Sequence, residues 1–274
     1  MNKIPKLSII TPSYNQAEFL EDTIRSVVFQ NYPNLEYLVI DGGSSDGSLA
    51  IIKEYSSRIS YWVSEKDRGQ AHAINKGLSK SSGEIIAWIN SDDIYQPGAF
   101  SRVIEMFNSR KEVDVIFGDC HFIDVSGNII SLYKGREQTF EDNLKYWEGW
   151  PIPQPTVFWR AEVMDRVGVL NENLHYGLDY EYFLRMSRHY SFTHAGKVLA
   201  SYRIHSKAKS GNWDHRKYTF YDEIHPFSKS YWSSLSIQQR LELYISYIQY
   251  QIRRKAKEGN LWAQFLIFIK NKLS

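Results

Sequence analysis

Asn90-Ser91-Asp92-Asp93 places two adjacent carboxylates directly after an apolar run, Glu84 to Ile89. Hard divalent cations take oxygen ligands and commonly bind through one or two carboxylates plus substrate phosphates, so the pair suits a cation beside a diphosphate. Asp is also favoured at helix N-caps, and the pair alone leaves both readings open. Another carboxylate, Asp41, closes the apolar run Leu35 to Ile40 and is followed by the turn Gly42-Gly43-Ser44-Ser45-Asp46-Gly47. Gly42 and Gly47 have the spacing of P-loop glycines, but Ser48-Leu49 stands where Lys-[Ser/Thr] would hold phosphate and magnesium. No G-x-G-x-x-G occurs either, so P-loop phosphoryl transfer and dinucleotide binding both lose support. Asp46, in the same turn, reads as a helix cap rather than a ligand.

Such carboxylates need a scaffold that brings strand ends together. Leu7 to Ile10 reads as a strand, Thr11 to Asn15 as a loop, and Leu20, Ile24, Val27 and Val28 as a helix with Asn15 and Glu18 as its capping pair. Strands at 35–40, 59–63 and 84–89 alternate with helices starting near Leu49, over Gln70 to Leu78, and from Pro97 through Phe107. Repeated β-α units predict an α/β fold with a mainly parallel central sheet flanked by helices, whose ligands bind outside the carboxyl ends of the strands. Asp41 and Asp92-Asp93 fall at such ends. Beyond residue 110 the rhythm changes. Strands are expected at 113–117, 156–159 and 198–204, a hairpin turn at Ser126-Gly127-Asn128, and helices at 140–147 and 178–186. The proline-rich stretch Trp150 to Pro155 should be a shaped loop.

The chain has 274 residues, and 33 Lys+Arg against 31 Asp+Glu leave +2, so no global charge recruits nucleic acid. Its 43% apolar and 23% charged residues argue against a disordered or fibrous chain. Aromatic content is high at 15%, and such rings suit sugar faces, bases and packing alike. A single cysteine, Cys120, excludes an internal disulfide and a Cys-based zinc cage, and it fits a reducing compartment. No secretory signal or membrane span is visible, so a cytoplasmic location is expected. From about Trp213 the composition shifts to Tyr, Gln, Lys and Arg, with Leu241, Tyr244 and Ile248 at helical spacing. This segment reads either as a helical cap on the rest of the chain or as a basic amphipathic surface making peripheral contact with anionic lipid.

Ser8 to Asn15, Val39 to Gly47, Gly69-Gln70-Ala71 with Ala73 to Gly77, and Trp88 to Asp93 together resemble the family 2 glycosyltransferases with a GT-A fold. The resemblance covers about residues 6–205. It implies a Rossmann-like GT-A catalytic domain over 1–212 with a helical extension over 213–274. The half at about 1–110 would bind a nucleotide-diphosphate sugar, and the half at about 111–212 would bind the acceptor.

Carried over residue by residue, the resemblance has Tyr14 lying against the base and Asp41 hydrogen-bonding the base or ribose. Arg68 lies in the stretch that closes over the nucleotide, and Pro12, Asn15, Gln70 and Asn75 belong to the same donor-binding motifs. Asp92 would face the ribose or donor sugar, while Asp93 would hold a divalent cation, Mn2+ or Mg2+. His205, closing Tyr202-Arg203-Ile204-His205, would complete the metal shell and tilt preference toward manganese.

Tyr176 to Glu181 is similar to the family's acidic motif, with Leu178 in place of the usual first acid. Asp179 is then the base and Glu181 the runner-up. The helix start is expected to stabilise the ionised form of Asp179 and so weaken it as a base. Trp150 and Gln154 are expected on the acceptor side. The alternative roles are packing for Tyr14, turn capping for Asp41, helix capping for Asp179 and loop anchoring for His205. The activity implied is inverting, metal-dependent transfer from a nucleotide-diphosphate sugar, UDP by family habit, to a hydroxyl of a glycan or lipid-linked acceptor. A catalytically silent nucleotide-sugar-binding protein is the alternative. A nucleotidyltransferase loses ground because the loop Thr11 to Asn15 lacks a basic residue.

Overall fold

A computed structural model of the chain describes residues 4–149, 152–209, 213–257, 259–260 and 264, without the side chains of 213–218. The chain begins with β1 (Leu7–Ser13), α1 (Leu20–Val28), β2 (Leu35–Asp41), α2 (Ser48–Glu54), β3 (Tyr61–Ser64), α3 (Gln70–Lys80) and β4 (Ile85–Trp88). All seven residues of β1 and all four of β4 are buried, as expected of parallel strands covered on both faces. Parallel pairing sets Ser13 opposite Asp41, Asp41 opposite Ser64, and Ile10 opposite Trp88. The carboxyl ends of four strands therefore meet along one edge.

After β4 come β5 (Ile94–Tyr95), α4 (Ala99–Ser109), β6 (Val115–Ile123), β7 (Ile129–Tyr133), α5 (Phe140–Asn143), β8 (Phe158–Arg160), α6 (Val163–Val167), α7 (Leu178–Ser187) and β9 (Phe192–Arg203). The sheet order is β3-β2-β1-β4-β8-β6-β9-β5, with β7 paired to β6. Here the sheet becomes mixed: β8 enters antiparallel between β4 and β6, β9 runs parallel to β6, and β5 is antiparallel to β9. Strand β6 continues past Phe117 through an irregular register at Gly118. A Cβ at Gly118 would lie 2.6 Å from the Lys197 carbonyl oxygen, so glycine lets β9 come close there.

One core cluster packs α1 and α4 on the sheet through Ile24, Val27, Phe100 and Val103, and a second packs α3 and α7 through Ile74, Leu78, Phe183 and Met186. Trp159 is fully buried in the second. The remaining helices are α8 (Trp213–Tyr231) and α9 (Ile237–Lys257). Ile224, Trp232 and Leu243 pack with Tyr146, Tyr180 and Leu184 in a third cluster beside α7. The outer face of α9 leaves Ile237, Leu241, Ile245 and Ile248 exposed. Among the described residues no helix is long and apolar enough to cross a membrane.

Helix α1 starts later than its sequence pattern suggests, at Leu20, and its N-cap Phe19 makes no side-chain cap. Asn15 sits at φ 52°, a conformation that asparagine tolerates, and its Oδ1 accepts from the Ser45 amide at 2.9 Å. It ties two loops together and does not cap the helix.

Candidate active site

The strand ends open into a cleft of 1250 Å3 shared by both halves of the sheet. Pro12, Tyr14, Gln70, Asn90, Asp92, Gln154 and Asp179 line it. Tyr14 is 62% exposed and offers a ring face to the cleft. Gly42 underlies it: a Cβ there would lie 2.6 Å from Asp67 Oδ2 and 3.3 Å from Tyr14 Cδ2. Lys66 and Asp67 thereby reach the cleft. Sequence reading overlooked both, although they follow the end of β3 as Asn90 to Asp93 follow β4.

Asp41 is only 1% exposed and does not line the cleft. Its Oδ2 accepts from the Gly43 and Ser44 amides at 3.1 and 2.9 Å and from Ser64 Oγ at 2.6 Å, while Oδ1 accepts from Ser44 Oγ at 2.5 Å. The turn consumes its hydrogen-bonding capacity, so the structure places Asp41 as the organiser of the turn rather than on the cleft surface. Asn15, Arg68 and Asn75 are likewise off the cleft wall. Arg68 Nη2 pairs with Glu172 at 2.5 Å, and Asn75 Nδ2 donates to the Leu170 carbonyl and to Glu172 Oε1. Both clamp the 170–172 segment that leads toward α7.

The two adjacent acids part company. Asp92 lines the cleft, and its Oδ2 lies 3.0 Å from His205 Nε2. Asp93 is 1% exposed, and its Oδ1 accepts from the Arg203 amide at 2.9 Å. Burial, reinforced by the neighbouring Asp92 charge, pushes the Asp93 carboxyl well above the usual carboxylate range. The expected metal role of Asp93 is therefore corrected: its side chain faces the protein, and Asp92 is the carboxylate presented to the cleft. One reason is that Ile94 and Tyr95 pair with β9 immediately after it. Arg203 completes the support, with Nε donating to the Asp92 carbonyl at 2.9 Å and its guanidinium over the Phe19 ring at 4.9 Å.

His205 is buried against Phe19, ring centroids 4.6 Å apart, and its Nδ1 has no hydrogen-bond partner. Among the described residues no group of three or more His, Cys, Asp or Glu side chains could enclose a metal. Asp92 and His205 Nε2 nevertheless fit a divalent cation that draws its other ligands from phosphate oxygens and water.

Across the cleft, Asp179 stands half-buried in the first turn of α7, where its Oδ1 accepts from the Tyr180 amide at 2.8 Å. Burial pushes its carboxyl up to about 6; the Tyr180 amide and the Lys209 charge lower it, and the Glu223 charge adds to the rise. The expectation of a weakened base is thus reversed, because desolvation outweighs the helix start. Glu181 turns away, is buried, and pairs with Arg185 at 2.6 and 3.0 Å.

Glu223 is a residue the sequence did not reveal. From α8 its carboxylate accepts from the amides of His175, Tyr176 and Gly177 at 2.5, 2.7 and 2.7 Å, holding the turn that carries Asp179. Between the two walls runs a string of amides: Gln70 Nε2 donates to Asn90 Oδ1, Asn90 Nδ2 to Gln154 Oε1, and Gln154 Nε2 to the Trp88 carbonyl. Trp150 lies outside the described residues.

One wall of the cleft thus presents Asp92, paired with the buried His205, and the other presents Asp179. Glycosyl transferase family 2 matches residues 8–168, more than half of the chain, and the chain belongs to that family. An uncharacterized glycosyltransferase of Rickettsia typhi is 29% identical over 214 residues, 73% of this chain and 64% of that protein. The chain thus spans just under two thirds of that relative's length. TuaG of Bacillus subtilis, named for teichuronic acid biosynthesis, is 35% identical over 109 residues, 39% of this chain and 43% of that one.

Solved structures share the GT-A fold. Staphylococcus aureus TarS 1–349, in complex with UDP-GlcNAc, has a TM-score of 0.68 at 17% identity, covering 90% of this chain and 73% of that one. The mannosyltransferase PcManGT of Pyrobaculum calidifontis, in complex with GDP-Man and Mn2+, has a TM-score of 0.61 at 18% identity, covering 98% and 80%.

Proposed function

We propose that the chain is an inverting glycosyltransferase that moves a sugar from a nucleotide-diphosphate sugar to a hydroxyl of a glycan or lipid-linked acceptor. The observation that carries this reading is that Asp92, which follows β4 in the first half of the sheet, and Asp179, at the start of α7 in the second half, line one cleft, and that His205 Nε2 lies 3.0 Å from Asp92 Oδ2. Tyr14 offers a stacking face for the base. Asp179 takes the acceptor proton as the hydroxyl oxygen attacks the anomeric carbon and the bond to the diphosphate breaks, and a single in-line displacement inverts that centre. Its raised proton affinity makes it a better base than an ordinary aspartate while leaving it mostly ionised at neutral pH. Mn2+ or Mg2+ held by Asp92 and His205 would supply charge neutralisation for the departing diphosphate. Family membership and the UDP-GlcNAc and GDP-Man complexes of the structural neighbours support a nucleotide-sugar donor, and the name of TuaG supports a glycan acceptor.

The test incubates the protein with UDP- and GDP-sugars, Mn2+ and a glycan mixture, and follows nucleoside diphosphate release. Asp179→Asn should keep donor binding and lose transfer. Turnover unchanged in this variant would remove Asp179 from the mechanism, and donor binding without turnover in the wild type would leave a silent binding protein.

A further inference from the structure

A second groove, of 840 Å3, lies between the single turn at Tyr146–Glu148 and α9, and Tyr221 lines both it and the main cleft. Its aromatic walls are Trp147, stacked on Tyr250 at 6.3 Å and 27°, and Tyr221, edge-on to Tyr250 at 5.6 Å. Tyr146, 5.3 Å from Tyr221, continues this track into the cleft that holds Asp179. Above the rings stand Arg253, Arg254 and Lys257. Arg254 is matched by Asp222 at 2.9 Å, and Glu148 on the rim accepts from Ser246 Oγ at 2.7 Å. Arg253 and Lys257, one helical turn apart and exposed, face no carboxylate in an ion pair among the described residues.

We propose that this groove is an acceptor subsite for an anionic glycan, one that carries phosphate or carboxylate groups along its chain. The rings fit sugar faces, and the exposed cations Arg253 and Lys257 supply charge-assisted hydrogen bonds to anionic substituents. Tyr221 then leads the chain to the cleft, where its terminal hydroxyl meets Asp179. The inference rests on the glycosyl-transfer reading and specifies its acceptor.

Fluorescent oligogalacturonate, a glycerol-phosphate oligomer and neutral maltohexaose are titrated against the full chain by anisotropy, without donor. The charge reversal Arg253→Glu with Lys257→Glu is compared with the wild type, and Arg253→Gln with Lys257→Gln serves as a milder pair. Wild-type protein should bind at least one anionic oligomer in a salt-sensitive way and maltohexaose more weakly. Reversal should weaken the anionic ligand by about tenfold or more, the glutamine pair by less, with donor hydrolysis unchanged in both. Equal affinity in wild type and reversal variant, or no anionic oligomer bound by the wild type, overturns the subsite. So does reversal-sensitive binding to phosphatidylglycerol vesicles with no oligomer bound, which would assign the cations to a lipid surface. Failure of the wild type to bind any nucleotide sugar in a separate titration would strike the parent reading instead.

Discussion

Asp179 is where environment and chemistry meet most directly. With its proton affinity raised to about 6, the ionised base disappears as pH falls through that value, so kcat/KM should show an acid limb near pH 6 rather than near 4. Lys209 pulls this value down, and Lys209→Met should move the limb to higher pH; a limb that stays in place would show that the cation is not felt at the base. The same shift has a cost in stability. A folded-state affinity above the unfolded one favours the fold while the group is protonated, and that advantage is lost as pH rises through 6. Asp179→Asn should therefore be more stable than the wild type at pH 8, by ~1–2 kcal/mol after allowing for partial exposure, with the difference vanishing near pH 3.5. Urea melts at both pH values would read it.

Asp92 and Asp93 separate on the same logic. Asp92→Ala should abolish the effect of Mn2+ on donor binding, as isothermal titration with and without the ion would report. Asp93→Ala strands the buried Arg203 amide and should cost ~1–3 kcal/mol in a urea melt, whereas Asp93→Asn, which keeps an acceptor, should cost less. Equal melts for the two Asp93 variants would contradict this assignment.

Among the elements, α8 holds the turn ahead of Asp179 from outside the family-matched segment. Glu223 satisfies three amides ahead of α7, so Glu223→Ala frees the turn that carries Asp179. Expected is a fall in kcat with donor KM unchanged, and Glu223→Gln should recover part of it because the amide oxygen still accepts. A variant with normal kcat would reduce Glu223 to a surface acceptor. No local pattern announced this contact, because Glu223 is ordinary within its own helix and acquires meaning only where α8 crosses the turn at 175–177. The first four strands and their helices were legible because apolar runs alternate with polar turns and helical spacing, although β1 runs on through Thr11 and Pro12 to Ser13, where the sequence suggested a loop, because those residues pair with β2. Strand β5 was not legible, since two residues carry no periodicity and exist only by pairing with β9. Asp93 was misread for the same reason: adjacent acids look alike in sequence, and the β5 pairing decides which one turns inward. Gly118 hid the length of β6, because a glycine that ends a strand and one that admits a neighbour read the same.

At the scale of the whole molecule, the cleft is walled by both halves of one continuous sheet, so a ligand that bridges them is linked to global unfolding. A nucleotide sugar bound only to the folded state stabilises it by ~2.7 kcal/mol at one hundred times its Kd. For a chain of this size that corresponds to a rise in Tm on the order of 5–10 °C. The ion and the base should contribute separately, since Tyr14 and the Asp92–His205 pair stand on different loops. A panel of UDP-, GDP- and dTDP-sugars, each with and without Mn2+, should therefore show one nucleotide raising Tm alone and Mn2+ adding a second increment. Asp92→Ala should lose that second increment and keep the first, while Tyr14→Ala should lose most of the first at unchanged apo Tm, because its ring is exposed and supports no core. If Mn2+ adds nothing for any nucleotide in the wild type, the paired carboxylate and imidazole are an internal hydrogen bond only, and the leaving diphosphate must be stabilised by the cations around the cleft, Lys66, Lys207 and Lys209.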